Sequence, residues 1–461
     1  MDDCMALILA AGQGVRMRSA IPKVLHSLCG KPIISYIISA VKDAGVKKCV
    51  VVTGPGGESI KDVLGDGLDY VYQAERLGTG HAVMMARHYL TSDHKYALVL
   101  PGDVPLIKNT TLRCLYDTTR EGGYAAVVLT AIMNDPKGYG RIIRDSQGNV
   151  TAIVEDKDAD ESQKAIKEVN SAIYCFDANV LNGALDMIDN NNAQHEYYLT
   201  DVLAAIANQG LKVGAVTVEQ PEEVIGINDR VQLARAEMLL RREIAVRWMT
   251  EGVTIIDPTS VYIDTDVEIG QDTVIYPGNV LEHGTRIGRQ CILYPNSRLS
   301  NAIIGDRVTI QSSVIIDSEV GDDTTVGPFA YLRPGTRIGK GTRIGDFVEI
   351  KNSIIGDGTK VPHLCYVGDA DVGKKVNFGC GSVVVNYDGV RKYRTIVKDN
   401  AFIGCNANLV SPVEVEENAY IAAGSTITDK VPAGALAIAR AKQVVKEGWV
   451  AKKFKKGTEE E

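Results

Sequence analysis

The first 226 residues alternate between short apolar runs and amphipathic stretches. Apolar runs suited to buried parallel strands occupy 5–9, 49–53, 70–72 and 96–100. Amphipathic stretches, among them 32–44 and 80–90, lie between these runs. The alternation predicts an α/β domain at 1–227, with a Rossmann-like, mostly parallel twisted sheet and right-handed crossovers.

A long charged stretch follows this domain. Its pattern of apolar and charged residues predicts a helical linker arm at 228–251, with a boundary near Gly252.

The second half of the chain has an apolar residue at every sixth position, with small phase slips. The positions are Ile263, Ile269, Ile275, Leu281, Ile287, Leu293, Leu299, Ile304, Ile310, Ile316, Val320, Val326, Leu332, Ile338, Ile344, Ile350, Ile355, Val361, Val367, Val372, Phe378, Val384, Val397, Ile403, Leu409, Val415, Ile421 and Ile427. A period of six fits neither an amphipathic helix nor a two-sided strand. It predicts a left-handed parallel β-helix of hexapeptide repeats over 252–461, with three faces and about 18 residues per turn. Glycine often follows the apolar residue, and we expect Gly, Asn or Asp in this place to form the corners, where these residues adopt a positive φ at little cost.

Two departures from the repeat are informative. The stretch 386–396 breaks the period and predicts a loop that leaves the coil, and such loops often lie on the binding face of a solenoid. After Thr428 the repeat ends in an extension and a charged tail, which we expect to be disordered.

Composition narrows the classes of function. The net charge of −8 argues against nonspecific binding to nucleic acid or to an anionic membrane, and no apolar run is long enough to insert into a bilayer. The nine cysteines are scattered without a CxxC pair, and the N-terminus lacks the basic residues of a signal peptide. A reduced, cytoplasmic protein is expected.

A glycine-rich turn follows the first predicted strand. Glycines at 12 and 14 allow a backbone to approach phosphates, and Arg16 and Lys23 bring positive charge to the same turn. A tight turn alone would also use such glycines for shape, but the two nearby cations favour phosphate binding. The turn is neither a Walker A loop nor a dinucleotide fingerprint.

Asp103 stands at the end of a very apolar strand. Taken alone, it could equally cap a helix or close a turn. Because functional groups gather at the carboxyl ends of parallel strands, we expect it to hold Mg²⁺ against substrate phosphates beside the glycine turn.

A coil as regular as the second half could be purely structural, or a trimerisation scaffold, so its polar residues carry the functional signal. Arg333 and Lys351 directly follow inward positions and should point outward, as a phosphate site requires. His363 taken alone would be a surface residue.

Several motifs together carry a resemblance that covers almost the whole chain. The segments LAAGQGVRM, QAERLGTGHA, GDVPL, GYGRI, VEDKDA and EVNSAIY resemble the sugar-1-phosphate nucleotidylyltransferases, and PHLCYVGDADVG with NFGCGSVVVNYDG resembles an acetyltransferase coil. In combination they are similar to the bacterial family that joins N-acetylglucosamine-1-phosphate uridylyltransferase to glucosamine-1-phosphate acetyltransferase.

The resemblance implies a set of residues for the uridylyltransferase half. The main chain of Leu9, Ala10, Ala11 and Gly12, with Gln73, Gly78 and Thr79, would hold the uridine of UTP; Arg16 and Lys23 would hold its phosphates and act in catalysis; Gly140, Glu155, Asn170 and Asn228 would hold N-acetylglucosamine 1-phosphate; and Asp103 and Asn228 would hold Mg²⁺. The family usually has Thr where this chain has Val15, and we expect little effect, because the turn works through its backbone.

For the acetyltransferase half, the resemblance implies a second set. His363 would be the base that deprotonates the attacking amine, and Glu349 would orient it; Arg333, Lys351, Tyr366 and Asn377 would bind glucosamine 1-phosphate; and Cys380, Asn386, Tyr387, Cys405, Ala423 and Arg440 would meet acetyl-CoA. Cys380 and Cys405 replace the usual Ala and Ser, so this half is expected to be sensitive to alkylation. The family's acetyl sites lie between chains, which implies a homotrimer.

The resemblance implies synthesis of UDP-N-acetylglucosamine for bacterial cell-wall and envelope polysaccharides. Two alternatives stay open on the sequence. One is a monofunctional sugar-1-phosphate nucleotidylyltransferase whose coil only assembles it. The other is a non-enzymatic protein of the same architecture, resembling exchange-factor subunits of translation initiation. The presence of Arg16, Lys23 and Asp103 argues against a scaffold, and the length of the coil with His363 argues against a single activity.

Overall fold

The chain forms two compact units in a computed structural model that describes residues 1–91 and 93–455. The units are Met1–Arg241 and Arg242–Glu461. The linker arm predicted at 228–251 is the helix Arg230–Thr250, but the division between the units falls inside this helix rather than near Gly252. Its first part therefore belongs to the first unit.

The first unit is an α/β domain. Its strands are β1 (Cys4–Leu9), β2 (Ser27–Leu28), β3 (Lys31–Pro32), β4 (Lys48–Thr53), β5 (Asp69–Tyr72), β6 (Tyr96–Pro101), β7 (Ala126–Ile132), β8 (Arg141–Arg144), β9 (Val150–Val154), β10 (Glu168–Asp177) and β11 (Val213–Thr217). Its helices are α1 (Ile33–Asp43), α2 (Glu58–Leu64), α3 (Thr79–Met85), α4 (Asn109–Gly122), α5 (Glu161–Lys164), α6 (Ala178–Ala184), α7 (Leu199–Asn208) and α8 (Arg230–Thr250), with 3₁₀ turns at Val15–Met17, Lys23–Leu25, Arg87–Tyr89 and Pro221–Val224.

The main sheet has the order β11-β7-β10-β6-β1-β4-β5, and β10 runs antiparallel to both of its neighbours. The other pairings along this path are parallel, so the predicted mostly parallel sheet is confirmed. Alternate residues of β1 enter two different cores: Ala6 and Ile8 pack on one face, and Met5 and Leu7 on the other. Because helices cover both faces, the central strands are apolar throughout.

Within the described part of the second unit, 242–455, the strands from Thr254 to Ala437 wind into a coil with three parallel sheets, one per face. The first comprises Thr254–Ile255, Val274–Ile275, Ile292–Leu293, Thr309–Ile310, Thr325–Val326, Arg343–Asp346, Lys360–His363, Asn377–Phe378, Phe402–Ile403, Tyr420–Ile421 and Leu436–Ala437. The second comprises Tyr262–Ile263, Val280–Glu282, Arg298–Ser300, Val314–Ile316, Tyr331–Leu332, Glu349–Lys351, Tyr366–Gly368, Val383–Val385, Asn408–Val410 and Thr426–Ile427. The third comprises Glu268–Ile269, Arg286–Ile287, Ile303–Ile304, Ser318–Val320, Thr336–Ile338, Ile354–Ile355, Ala370–Val372, Thr395–Val397 and Val413–Val415.

The predicted apolar positions fill the interior of this coil, with one correction. Ile315, and not the predicted Ile316, pairs with Leu299 on the preceding turn and is fully buried. The corner before this strand is one residue shorter than the count assumed, so the phase slip comes earlier. The other predicted positions are buried.

The role that we predicted for most glycines after the inward residues was wrong. Gly270 and Gly288 have no positive φ, and a Cβ on Gly270 would lie 2.6 Å from the backbone of Gly288 on the next turn. The same close stacking recurs between Gly339 and Gly356. Glycine is therefore needed for close approach of successive turns, while the positive φ at corners falls on other residues, such as Asn296.

The predicted loop leaves the coil between Val383–Val385 and Thr395–Val397, so its last two predicted residues, 395 and 396, are already in a strand. Near the C-terminus, α9 (Trp449–Lys455) includes part of the tail that we predicted to be disordered, while 456–461 lies outside the described residues. Among the described residues, no helix combines the length and apolarity that crossing a bilayer requires.

We expect Phe378→Ala to destabilise the protein by about 3–5 kcal/mol, because it leaves a cavity at an inward position that is 1% exposed. The measurement is the free energy of unfolding from a urea titration of the full chain. The matched control is Phe454→Ala, which removes a ring that is 71% exposed and should change stability by less than about 0.5 kcal/mol. Equal stability of the two variants would contradict a packed coil interior.

Candidate active sites

A cleft of about 560 Å³ opens at the carboxyl ends of the central strands of the first unit. The predicted residues that line it are Leu9, Ala10, Ala11, Gly12, Lys23, Gln73, Gly78, Thr79, Asp103, Glu155 and Asn170. They come from the end of β1, from the segments that follow β1, β5, β6 and β9, and from β10, so the sheet brings together residues that are far apart in sequence.

The glycine turn after β1 owes its shape to Gly14. This residue has a φ of +62°, and a Cβ here would lie 2.7 Å from the Cβ of Lys23. The turn therefore packs directly against the stem of Lys23, and a larger residue would displace that side chain. Val15, the departure from the family pattern, is 70% exposed.

Lys23 joins the two predicted metal ligands. Its ammonium donates to the carboxylate of Asp103 and, at 3.1 Å, to the amide oxygen of Asn228. Two oxygens from distant parts of the chain thus converge on one cation. Asp103 and Asn228 are therefore both hydrogen-bonded to Lys23 within the first unit.

The residues present fit Mg²⁺. The convergence of Asp103 and Asn228 on an ammonium shows that this point accepts positive charge. Among residues 1–91 and 93–455 there is no cluster of three or more His, Cys, Asp or Glu side chains able to hold a metal. Mg²⁺ does not need one, since it is usually held by one or two protein oxygens together with substrate phosphates and water.

Gln73 and Thr79 are held in place around Gly78. The Gln73 side-chain amide, 3% exposed, donates to the carbonyl of Gly78 at 3.1 Å and lies 3.0 Å from Nδ1 of His81. The Thr79 hydroxyl accepts from the backbone N–H of Leu199 at 3.1 Å. A Cβ on Gly78 would lie 2.6 Å from a backbone oxygen and its φ is +105°, so glycine is required there.

The opposite side of the cleft holds Glu155 and Asn170. The backbone N–H of Asn170 donates to the carbonyl of Gly140 at 2.9 Å, and its side-chain amide donates to the hydroxyl of Tyr174 at 2.8 Å. A Cβ on Gly140 would come within 3.6 Å of a Glu155 oxygen. Gly140 therefore adjoins the cleft, and its lack of a side chain leaves room beside the carboxylate.

One predicted phosphate ligand is not brought into the cleft. Arg16 lies in the 3₁₀ turn Val15–Met17 and is exposed, outside the cleft lining.

Two arginines that the sequence did not single out support the cleft. Arg76 donates to the carbonyl of Ala11 and to that of Pro55, both at 2.9 Å, and so ties the glycine turn to the loop after β4. Arg141, 2% exposed, donates to the carbonyl of Tyr139 and to Asp156 at 3.1 Å. Both were missed because their acceptors are mostly backbone carbonyls, which leave no sequence pattern.

Burial raises the pKa of Glu155, and nearby Asp158 and Asp201 add to the effect. A carboxyl whose pKa is raised by folding destabilises the folded state when it is ionised. We therefore expect Glu155→Gln to increase the free energy of unfolding at neutral pH. The gain should shrink as the pH falls through the raised pKa and vanish below the ordinary value for Glu.

The pH dependence of thermal unfolding measures this effect. Glu161→Gln is the matched control, since its carboxylate is 93% exposed and its replacement should leave stability unchanged at every pH. A Glu155→Gln protein that is less stable than the wild type at pH 7 would contradict the argument.

In the second unit, a cluster of charged side chains covers neighbouring turns of one face. Arg333 pairs with Glu349 at 2.7 Å, and Lys351 lies 3.6 Å from Asp369. The carboxylate of Asp369 also accepts from the side-chain amide of Asn386 at 2.5 Å. The cluster brings together Arg333 and Lys351, both predicted for phosphate binding, and Asn386 at the start of the loop.

The loop returns toward this cluster. Tyr387 and Lys392 form an isolated β-bridge, and the backbone N–H of Tyr393 donates to the carbonyl of Asn386 at 2.9 Å. The neighbouring ammonium of Lys351 lowers the pKa of Lys392. Two lysines held this close repel each other, and a bound phosphate dianion would relieve the repulsion.

The structure corrects the partner that we predicted for His363. Its Nδ1 lies 2.7 Å from Oδ1 of Asp346, on the preceding turn of the coil. Glu349, the predicted partner, instead accepts a hydrogen bond from Arg333 and belongs to the cluster of charged side chains described above. The strand of Glu349 is next to that of Tyr366, whereas the strand of Asp346 is next to that of His363.

The residues predicted for acetyl-CoA fall into two groups. The first group, Asn386 and Tyr387, belongs to the loop. The second group lies on the later turns of the coil, where the carbonyl of Ala423 accepts a hydrogen bond from the side chain of Arg440 at 2.8 Å. Cys380 and Cys405 are exposed at equivalent places on successive turns, since the backbone N–H of Asn406 donates to the carbonyl of Cys380. Asn377 pairs with Phe402 on the same face. The exposed thiols remain available to an alkylating reagent.

Comparison with known families covers both units. Residues 5–222 match the nucleotidyl transferase family, and 317–352 and 394–429 match the bacterial transferase hexapeptide repeats. These matches confirm the predicted fold class, an α/β nucleotidyltransferase domain joined to a left-handed β-helix.

Curated relatives align over nearly the full length. The chain is 54% identical over 453 residues to the bifunctional protein GlmU of Acetivibrio thermocellus, covering 98% of each chain. It is 53% identical over 457 residues to that of Caldanaerobacter subterraneus subsp. tengcongensis, covering 99% of this chain and 100% of the relative. It is 54% identical over 451 residues to that of Clostridioides difficile, covering 98% of each. The chain therefore belongs to the GlmU family of bifunctional proteins.

Proposed function

We propose that this chain is a bifunctional enzyme of UDP-N-acetylglucosamine synthesis. The second unit would transfer an acetyl group from acetyl-CoA to the amine of glucosamine 1-phosphate. The first unit would transfer a uridylyl group from UTP to the N-acetylglucosamine 1-phosphate so formed and release pyrophosphate. Two observations together support the proposal. This chain aligns with bifunctional proteins over nearly its full length, and each of its two units contains a polar site suited to one of these reactions.

Uridylyl transfer needs positioning and charge stabilisation more than covalent chemistry. A phosphate oxygen of the sugar phosphate attacks the α-phosphorus of UTP in line, and pyrophosphate leaves. Lys23 supplies positive charge at the mouth of the sheet, and Arg16 is proposed as a second cation from the exposed turn. Asp103 and Asn228 would hold Mg²⁺, which offsets negative charge on the phosphates when it is bound.

The uridine and sugar ends of the cleft are assigned by chemistry. The backbone of 9–12 with Gln73, Gly78 and Thr79 is proposed to bind the uridine, since buried amides and backbone groups suit a neutral base. Glu155, Asn170 and the carbonyl-bearing turn at Gly140 are proposed to bind the sugar, whose hydroxyls pair with carboxylate and amide oxygens.

Acetyl transfer is assigned to the coil. Arg333, Lys351 and Lys392 are proposed to bind the phosphate of glucosamine 1-phosphate, with Tyr366 and Asn377 along the same sugar site. His363 is proposed as the base for the amine. Asn386, Tyr387, Cys380, Cys405, Ala423 and Arg440 are proposed to contact acetyl-CoA.

We further propose a homotrimer in the cytoplasm. The support for a trimer is the hexapeptide coil, whose flat faces carry exposed apolar side chains such as Ile303 and Ile354. The support for the cytoplasm is the use of UTP and acetyl-CoA together with scattered cysteines.

The test is a pair of assays on the purified full chain. One supplies glucosamine 1-phosphate and acetyl-CoA and detects released CoA; the other supplies N-acetylglucosamine 1-phosphate, UTP and Mg²⁺ and detects pyrophosphate. The proposal expects both products. Release of pyrophosphate without release of CoA would instead support a monofunctional nucleotidylyltransferase whose coil only assembles it. The absence of both products would support a non-enzymatic scaffold.

A further inference from the structure

The pairing of His363 with Asp346 is built into the register of the coil. The two residues are direct ladder partners at the ends of Arg343–Asp346 and Lys360–His363. The backbone N–H of Leu364 donates to the carbonyl of Asp346 at 2.9 Å, which fixes the corner just beyond them. Both side chains therefore leave adjacent turns in parallel, and the 2.7 Å contact follows from the backbone.

Gly345 allows this approach. A Cβ at this position would lie 1.8 Å from the carbonyl oxygen of Pro362, so no other residue fits without moving the strand that ends at His363. Gly345, which precedes Asp346, and Pro362, which precedes His363, are thus in backbone contact. This contact restricts the separation of the two side chains.

We propose that Asp346 is the positioning residue of the acetyl-transfer site. Its carboxylate accepts a hydrogen bond from the Nδ1–H of His363, which leaves Nε2 unprotonated and able to act as the base. The inference rests on the proposed acetyltransferase activity. Glu349 cannot fill this role while its carboxylate is bound to Arg333.

The chemistry balances with these groups. The amine nitrogen of glucosamine 1-phosphate attacks the thioester carbonyl while Nε2 of His363 removes one of its protons. The C–S bond then breaks, and the thiolate of CoA leaves and takes the proton from the imidazolium. Asp346 stays ionised throughout and stabilises the transient imidazolium, as an orienting carboxylate does for a catalytic histidine.

The ionised state of Asp346 has independent support. The hydrogen bond with His363 holds the pKa of this carboxyl below its usual range, and the charge of Arg343 acts in the same direction. Besides His363, the titratable residues of the two paired strands Arg343–Asp346 and Lys360–His363 are the cations Arg343 and Lys360 and the carboxylate Asp346, and the next strand, Asn377–Phe378, has none. Among these neighbours, Asp346 is the anion, so its removal should dominate the pH response.

The experiment compares Asp346→Asn and Asp346→Ala with the wild type in the full chain. We expect kcat for CoA release to fall about 10- to 100-fold, with KM for glucosamine 1-phosphate changed less than about 2-fold. In Asp346→Asn the acidic limb of the pH–kcat profile should move to lower pH, because protonated His363 loses the anion that stabilises it. Uridylyl transfer by the same samples should be unchanged and shows that the first unit is intact, while the retained KM shows that the coil still binds its substrate.

Asp323→Asn is the matched control. It removes one partner of an exposed ion pair between successive turns of the coil, with Arg307 at 2.6 Å, and should leave acetyl-transfer kinetics at wild-type values. Glu349→Gln provides a contrast, since loss of the Arg333 partner should alter KM without moving the pH profile.

Two results would overturn the inference: wild-type kcat in both Asp346 variants, or a reduced kcat with an unmoved acidic limb, which would make Asp346 merely structural. A wild-type protein that releases no CoA would instead contradict the proposed function itself.

Discussion

Replacing Asp103 with Ala is expected to slow uridylyl transfer by about a thousandfold and to leave acetyl transfer unchanged. Asp103 provides the carboxylate of the pair that converges on one cation at the end of β6. A metal at such a site contributes several kcal/mol to stabilising the charge of the transition state, and about 4 kcal/mol corresponds to a factor of roughly 10³. The measurement is the rate of pyrophosphate release at saturating UTP.

Two further variants sharpen this result. Asp103→Asn keeps an oxygen ligand without the charge, so it should lose less activity and need a higher Mg²⁺ concentration for half-maximal rate. Asp117→Ala is the matched control, because this carboxylate is 51% exposed and pairs with Arg120 at the helix surface. Pyrophosphate release at the wild-type rate by Asp103→Ala would exclude Asp103 as a metal ligand.

The residues of the cleft could be predicted because they follow the ends of apolar strands. Once 5–9 and 96–100 are read as parallel neighbours, the glycine turn and Asp103 must lie at the same edge. The role of Lys23 as the link between Asp103 and Asn228 could not be predicted in this way. It depends on a side chain that reaches across a turn to a residue 205 positions away.

In the coil, the sequence predicts whether a side chain points inward or outward better than it predicts which side chain on the next turn it contacts. A period of six identifies the inward aliphatic positions with one error, since an unpaired polar residue there would be costly. The error at Ile316 depends on the length of one corner, because a change of one residue there alters which positions on successive turns are neighbours. The choice of Glu349 came from the resemblance, and the strands show that it lies on a different face from His363.

The glycines illustrate a different limit. The pattern shows where glycine recurs, but two physical reasons can produce it: a positive φ or the close approach of another backbone. At Gly78 both reasons apply, whereas at Gly270 only the second does. The distinction requires the coordinates of the neighbouring turn.

The second large effect is expected for His363→Ala, which should lower the rate of CoA release by about 10²–10⁴. The imidazole is half exposed and bound at Nδ1 by Asp346, so Nε2 is available to the amine. Uridylyl transfer should not change, since the two sites belong to different compact units. Because the site is open, added imidazole should restore part of the lost rate.

The control for this variant is His283→Asn, at an exposed corner of the same coil with a φ of 51°, a conformation that Asn tolerates. It should retain both activities and gain nothing from imidazole. Equal loss in both histidine variants would show that the coil, and not a base, had been damaged. Loss of only CoA release in His363→Ala, together with loss of only pyrophosphate release in Asp103→Ala, would assign the two reactions to different residues. A single site serving both reactions could not give this result.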